Sequence, residues 1–289
     1  SSEACHTSPF FAQAMAIEAS QALIARRCLK FRFMMHDAWE NALFVHWPVP
    51  AERLAEMLPR GLEPDIMDGT GWIGLVLLTE RGVSSSHPLG RMLVPPIDHL
   101  GANIRTYVRH NDVPGIFFWS LECSSTLASI GARAAGIPYY PATMFRTVDM
   151  EPFAKKTDMK VADPGFTFDF SSRRTGIFST PGVSAKWQLS GKSDEDRDED
   201  FTRKAEWFVE RYSVYAAWPW GKGPLLLRGD VQHPEWPLQR AVIESLDASE
   251  LLEAAGWTDL AAAGQMSSAP HVCFSRGVGP VEFWMLEPV

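Results

Sequence analysis

Cysteine is scarce in this chain and scattered. Cys5, Cys28, Cys123 and Cys273 form no CxxC pair. That excludes a disulfide framework or a zinc ribbon and fits free thiols in a reducing compartment, cytoplasmic or organellar. No apolar run approaches the roughly 18 to 20 residues that a membrane-crossing helix requires. Positive charge is not clustered either. The net charge is −8, and Arg173-Arg174 and Lys155-Lys156 stand as isolated pairs, read as solvated surface. A nucleic-acid backbone is therefore excluded as the main partner, because phosphate binding needs grouped Lys and Arg. No GxSxG elbow supports Ser/His/Asp catalysis. No two histidines at short spacing accompany a carboxylate, so neither a metal nor a cofactor is expected.

What is present describes a folded chain. With 46% hydrophobic and 21% charged residues, 289 residues suffice for a substantial core. The one excess is tryptophan, eleven in all; indole serves cores, pocket walls and interfaces alike. The opening is rich in Ala and Ser, with only Glu3 and Glu18 acidic before Cys28. It suits a segment that follows a cleaved organellar targeting peptide. Phe10 to Leu29 reads as a helix with Phe11, Met15, Ala22 and Ala25 on one face. We expect residues 1–30 to form a helical arm, packed on the domain or docked on a partner, and 31–289 to form one domain.

Phe31 to Trp47 reads as two strands, and Pro50 opens a helix that Pro59 and Gly61 end. A hairpin is expected from Glu63 to Leu78, turning at Asp68-Gly69. Its Gly69, Gly71 and Gly74 match GxGxxG formally but open a strand rather than a helix, so they are no dinucleotide fingerprint. Arg81 to Asp98 reads as a loop. Asn103 to Val108 alternates, with Asn103, Arg105 and Tyr107 on one face. Ile116 to Cys123 is a strongly apolar strand. A turn centred near Val113 would set Arg105 opposite Glu122, within reach of an ion pair. A helix from Ser125 to Ala135 stops at Gly136. Alternating runs follow between Phe145 and Leu189, then a solvated charged loop, Ser190 to Asp200. Phe201, Ala205, Phe208, Tyr212 and Tyr215 have helical spacing. Leu225 to Val231 reads as a strand, His233 to Gln239 as a rigid aromatic segment. Asp247 with Glu250 suits a capping box, and Val272 to Trp284 closes the chain with one or two strands. Many strands and few separate helices give an α+β class, mostly antiparallel.

Several stretches together resemble a known family. They are FVHWPVP (Phe44 to Pro50), LPRGLEPDIMDGTGWIG (Leu58 to Gly74), NIRTYV (Asn103 to Val108), PGIFFWSLE (Pro114 to Glu122), GIPYYPATM (Gly136 to Met144) and RGDVQHPEWPLQ (Arg228 to Gln239). The chain resembles the YqjF-like family of unknown function, within the acetoacetate decarboxylase-like superfamily. That resemblance implies a cone-shaped antiparallel barrel with flanking helices and a pocket inside it. The superfamily's decarboxylases carry Pro-Lys-Lys at the segment that is Pro138-Tyr139-Tyr140 here, and use a lysine there for a Schiff base. Tyrosine forms no imine, so Schiff-base decarboxylation is not expected.

The polar candidates follow from these placements. Arg105 could clamp a carboxylate or serve a structural ion pair. Glu122 could move a proton if burial raises its pKa, or be that ion pair's other half. Tyr140, with Tyr139, could donate to a carbonyl or enolate oxygen or simply pack. Asn103, Tyr107, His46 and Trp119 complete the candidate ligand-binding set. Two readings stand. One is an enzyme acting on a small carbonyl or carboxylate compound without Schiff-base lysine or metal. The other is a non-catalytic protein that binds an apolar ligand, or associates as a homo-oligomer or a subunit of a larger assembly.

Overall fold

Asn111 and Asp112 take positive φ (48° and 62°), the conformation of a primed two-residue turn whose twist matches the strands it joins. They connect two extensively paired neighbours of the sheet, β5 (Ile97–His110) and β6 (Val113–Cys123). The computed structural model describes residues 32–93, 95–134, 137–148, 167–175, 181–189, 198–219, 223–262 and 269–289. The expected N-terminal helix, the Gly136 stop and most of the charged loop lie outside these residues.

Before the hairpin come β1 (Arg32–His36), β2 (Ala38–Val49), α1 (Ala51–Met57), β3 (Glu63–Pro64), β4 (Gly71–Ser85) and α2 (Pro88–Leu93). After it come α3 (Thr126–Ala134), β7 (Tyr139–Val148), β8 (Thr167–Arg174), β9 (Gly182–Leu189) and α4 (Glu199–Val209). Then follow β10 (Ser213–Trp218), β11 (Leu225–Gln232), β12 (Leu238–Asp247), α5 (Ser249–Ala254), α6 (Thr258–Ala262), β13 (His271–Val278), β14 (Val281–Trp284) and β15 (Glu287–Pro288). The described residues are mostly strand, with few and short helices.

Hydrogen bonds lead from β6 through β7, β8, β9, β12, β13, β2, β4 and β5 back to β6. A second path leaves β6 through β10, β11, β14 and β1 and rejoins β4. The pairs β6–β7 and β6–β10 are parallel; the other described pairs are antiparallel. Strands β4, β5 and β6 belong to both paths, so both of their faces are buried. Leu75, Leu77, Ala102 and Ile104 turn to one core with Trp47, Phe168, Trp187 and Phe274. Trp72, Val76, Tyr107 and Ile116 turn to another with Phe44, Phe208, Trp236 and Val281.

Several expectations need correction. The Asp68-Gly69 turn forms (φ 53° and 76°), closing a Met67–Thr70 bridge. Yet β3 pairs with β5 rather than folding back on β4. Most of the supposed loop Arg81–Asp98 is the end of β4, the helix α2 and the start of β5. Strand β4 persists past Gly82 because that residue adopts φ 59° and the Asp98 carboxylate accepts its N–H. Tyr212 and Tyr215 lie beyond α4, which ends at Val209, and Tyr215 sits in β10. Asp247 does not cap α5: Ala248 is the N-cap, and Asp247 Oδ1 accepts the Ser249 N–H at 3.2 Å.

Candidate functional site

A bulge in β6 decides which polar groups meet. Beyond the turn Arg105 pairs with Phe118, but Ile104 pairs with Ser120, so Trp119 has no partner across the ladder. The extra residue reverses the side on which later β6 residues emerge. Glu122 therefore sits opposite Ala102 and points to the first core, while Arg105 points to the second. The expected Arg105–Glu122 pair does not form. Glu122 instead meets Arg174, whose Nε and Nη2 lie 2.9 and 2.6 Å from Oε1, with Ser120 Oγ donating at 2.7 Å. Arg174 also covers the Tyr140 ring at 3.6 Å. Burial pushes the Glu122 carboxyl above its ordinary range, with Arg174 pulling the other way. Arg174 is thus a buried ion-pair partner, not the solvated surface residue expected. Trp119 shares the first core, edge-on to Trp257 at 5.4 Å.

The opposite face of β5 carries His99, Gly101, Asn103, Arg105 and Tyr107, all buried. Arg105 Nη2 donates to the Phe208 carbonyl at 3.1 Å, and the guanidinium lies over Phe44 and Tyr107 at 5.6 and 5.7 Å. Arg105 Nε, Asn103 Oδ1, the Tyr107 hydroxyl and both ring nitrogens of His46 meet no partner in hydrogen-bond geometry. Each such buried group carries a desolvation penalty of about 1–3 kcal/mol, so a gathering of them calls for a ligand or another explanation. His46 stacks on Phe208 at 3.8 Å. Burial holds its pKa well below the usual value, helped by the His271 and Arg105 charges. Burial raises the Tyr107 phenol, opposed by Arg105. Gly74 makes the close approach of β4 to these rings tolerable: a Cβ there would lie 3.0 Å from Tyr107 Oη and 3.1 Å from His46 Cδ2.

At its other end the same face holds groups that the sequence did not single out. His36 Nδ1 lies 3.1 Å from Glu80 Oε2 and accepts the Trp39 indole N–H at 2.9 Å. His99 Nδ1 lies 3.8 Å from Glu80 Oε1. Gly101 leaves the space Glu80 uses, since a Cβ would stand 2.9 Å from Oε1. Tyr139 pairs in register with Leu121, itself opposite Asn103, and so shares this face. Burial raises its phenol well above the ordinary value, reinforced by Glu80 and Cys123. Burial lowers His36 to about 4 and lifts the Cys123 thiol to about 12. The signal that could have found this cluster was the cross-strand pair Glu80–His99, obscured by reading Arg81 to Asp98 as a loop.

The side-chain donors of His46, His271 and Cys273 lie within 4.8 Å of one another, a grouping the sequence spacing does not show. An open groove of about 460 Å3 runs beside β8, lined by Thr143, Arg173, Arg174, Asp247 and Glu250 among others. No described helix is long and apolar enough to cross a membrane.

Among solved structures, the chain is similar to the enduracididine biosynthesis enzyme MppR complexed with pyruvate. The TM-score is 0.56 with 11% identity, covering 90% of each chain. It is also similar to an acetoacetate decarboxylase-like enzyme from Sphingomonas wittichii RW1 (TM-score 0.52, 16% identity, 89% and 92% covered). An acetoacetate decarboxylase from Legionella pneumophila gives a TM-score of 0.51 at 10% identity, with 90% and 88% covered. These likenesses concern the fold. In sequence, the uncharacterized protein YqjF of Bacillus subtilis is 29% identical over 217 residues, 73% of this chain and 78% of YqjF. A family model, DUF2071, described as an uncharacterized conserved protein, matches residues 36–279. With that match spanning most of its length, the chain belongs to the DUF2071 family, built on an acetoacetate decarboxylase-like fold.

Proposed function

We propose that the chain binds a small carbonyl or carboxylate compound against the buried polar face of β5, in the interior of a cone-shaped barrel. The observation that carries this is Arg105, a guanidinium with a free Nε among unpartnered groups of Asn103, Tyr107 and His46. A carboxylate would satisfy Arg105 and an adjacent hydroxyl at once, and a dry site strengthens both bonds. MppR, solved with pyruvate, supports the ligand class by analogy of fold alone.

Acting on that compound, Tyr139 would polarise its oxygen, and Glu80 with His99 would move the proton. By the resemblance, Tyr139 and Tyr140 stand where the superfamily's decarboxylases carry Lys-Lys, so no imine is expected. Glu122 and Tyr140 support the site from the far side of the sheet through Arg174. The alternative, association with another chain, has one favouring observation. Leu89, Met92 and Leu93 of α2 are 62%, 80% and 82% exposed. A chain that stays monomeric in solution removes it.

Binding of pyruvate and acetoacetate, followed by calorimetry and ligand-observed NMR, tests the main reading. Wild type should bind at least one. Arg105→Met should weaken it by about 1.5–3 kcal/mol, the range for a charged hydrogen bond, and Tyr107→Phe should weaken it less. Unchanged binding in Arg105→Met sinks the reading.

A further inference from the structure

His271 and Cys273 are two residues apart on β13, so their side chains leave the same face of the sheet. Across the β2–β13 ladder His46 stands opposite His271. The donor atoms of all three lie within 4.8 Å of one another. His46 is fully buried, and its ring nitrogens meet no partner in full hydrogen-bond geometry, only the His271 backbone close by. His271 Nδ1 is also without one, while its Nε2 lies 3.3 Å from the Phe201 carbonyl. A proton on Nε2 donated to that carbonyl leaves the Nδ1 lone pair turned to the cluster. This is the outer hydrogen bond that ordinarily fixes a metal-ligating imidazole.

We propose that His46, His271 and Cys273 hold one divalent metal ion of the zinc class. Two imidazoles and a thiolate are a donor set suited to Zn2+, with Zn–N near 2.0–2.1 Å and Zn–S near 2.3 Å. Those bond lengths bring tetrahedral donors closer than 4.8 Å, so binding draws the three side chains inward by roughly 1 Å. Three protein ligands leave a fourth position, as in catalytic zinc sites. The ion with one thiolate retains a single positive charge, and Arg105 bears on both His46 and Cys273. That charge favours an anionic fourth ligand. The site stands on its own geometry and does not need the carboxylate reading.

The test uses the full chain, stripped with chelator and then titrated with Co2+. We expect one equivalent bound, with tetrahedral visible bands and a thiolate-to-cobalt charge-transfer band in the near ultraviolet. Zinc-loaded protein should show two nitrogen neighbours and one sulfur by X-ray absorption. Cys273→Ser should lose the charge-transfer band, and His46→Ala should lower affinity by at least about tenfold. Circular dichroism confirms that each variant folds. A wild-type chain that takes up no cobalt, or binds it without sulfur, overturns the proposal with no variant needed. Cys273→Ser with wild-type affinity and spectrum overturns it equally.

Discussion

Glu210 is the residue whose charge state costs the fold most visibly near neutrality. Its Oε1 accepts the Trp236 N–H at 2.8 Å and its Oε2 the Tyr212 hydroxyl at 2.6 Å. Burial nevertheless raises its pKa from 4.5 to about 7. Between those values the folded chain holds the proton more tightly than the unfolded chain. Unfolding free energy therefore falls as pH rises through this window, by at most about 3 kcal/mol at ~1.4 kcal/mol per pH unit. Glu210→Gln removes the titration, so its melting temperature relative to wild type should climb from pH 5 to pH 8 and level off above. A difference flat in pH contradicts the assignment. His36 and His233, both lowered by burial to about 4, act with the opposite sign. Their contribution is complete above 6.5 and is lost as pH falls through about 4. It appears in both proteins and cancels in the comparison.

Glu122 permits a second test at this scale. Removing only its partner, as in Arg174→Met, leaves a buried carboxylate unpaired and should destabilise by about 3–5 kcal/mol. Arg174→Met with Glu122→Gln removes the charge as well and should recover part of that loss in denaturant melts. If the double variant is no more stable than the single one, the Glu122 charge contributes nothing.

Among the elements, the β5–β6 hairpin shows how much the sequence reveals. The alternation of Asn103, Arg105 and Tyr107 reported a buried polar face correctly, because a strand's period of two is written directly in its residues. The turn was legible as a turn but misplaced: it lies at Asn111-Asp112, and Val113, expected at its centre, already begins β6. The bulge was not: Ile-Phe-Phe-Trp-Ser reads as an uninterrupted apolar strand, and no residue type marks Trp119 as unpaired. The turn at Asn111-Asp112 already sets Arg105 against Phe118, four residues short of Glu122, and the bulge then moves Glu122 to the other face. Its true partner, Arg174, is 52 positions away, a distance at which charge pairing leaves no local trace. His46, His271 and Cys273 escaped for the same reason, since their proximity is set by the register of β2 on β13. The turn itself has an improvable position. Asp112 adopts φ 62°, where glycine is more at ease, so Asp112→Gly should relieve about 1–2 kcal/mol of left-handed strain, partly offset by glycine's greater unfolded-state freedom, for a small net gain in equilibrium unfolding. A loss of stability would mean that the Asp112 side chain matters more than its backbone.

For the whole molecule, the shared strands tie two cores into one cooperative unit. One face of β4 and β5 contributes Leu75, Leu77, Ala102 and Ile104 to the first core; the other contributes Val76 and Tyr107 to the second. Neither core can lose its packing while β4–β6 stay buried on the other side only, because each face then exposes a row of large apolar groups. Phe168, stacked on Trp187 at 5.2 Å, belongs to the first core alone. Phe44, edge-on to Trp236 at 5.1 Å, belongs to the second. Phe168→Ala and Phe44→Ala should each destabilise by about 3–5 kcal/mol. Both should do so by shifting a single transition, seen alike by tryptophan fluorescence and by far-ultraviolet circular dichroism. If Phe168→Ala instead separates the two signals, the first core unfolds by itself and the shared strands do not couple the halves.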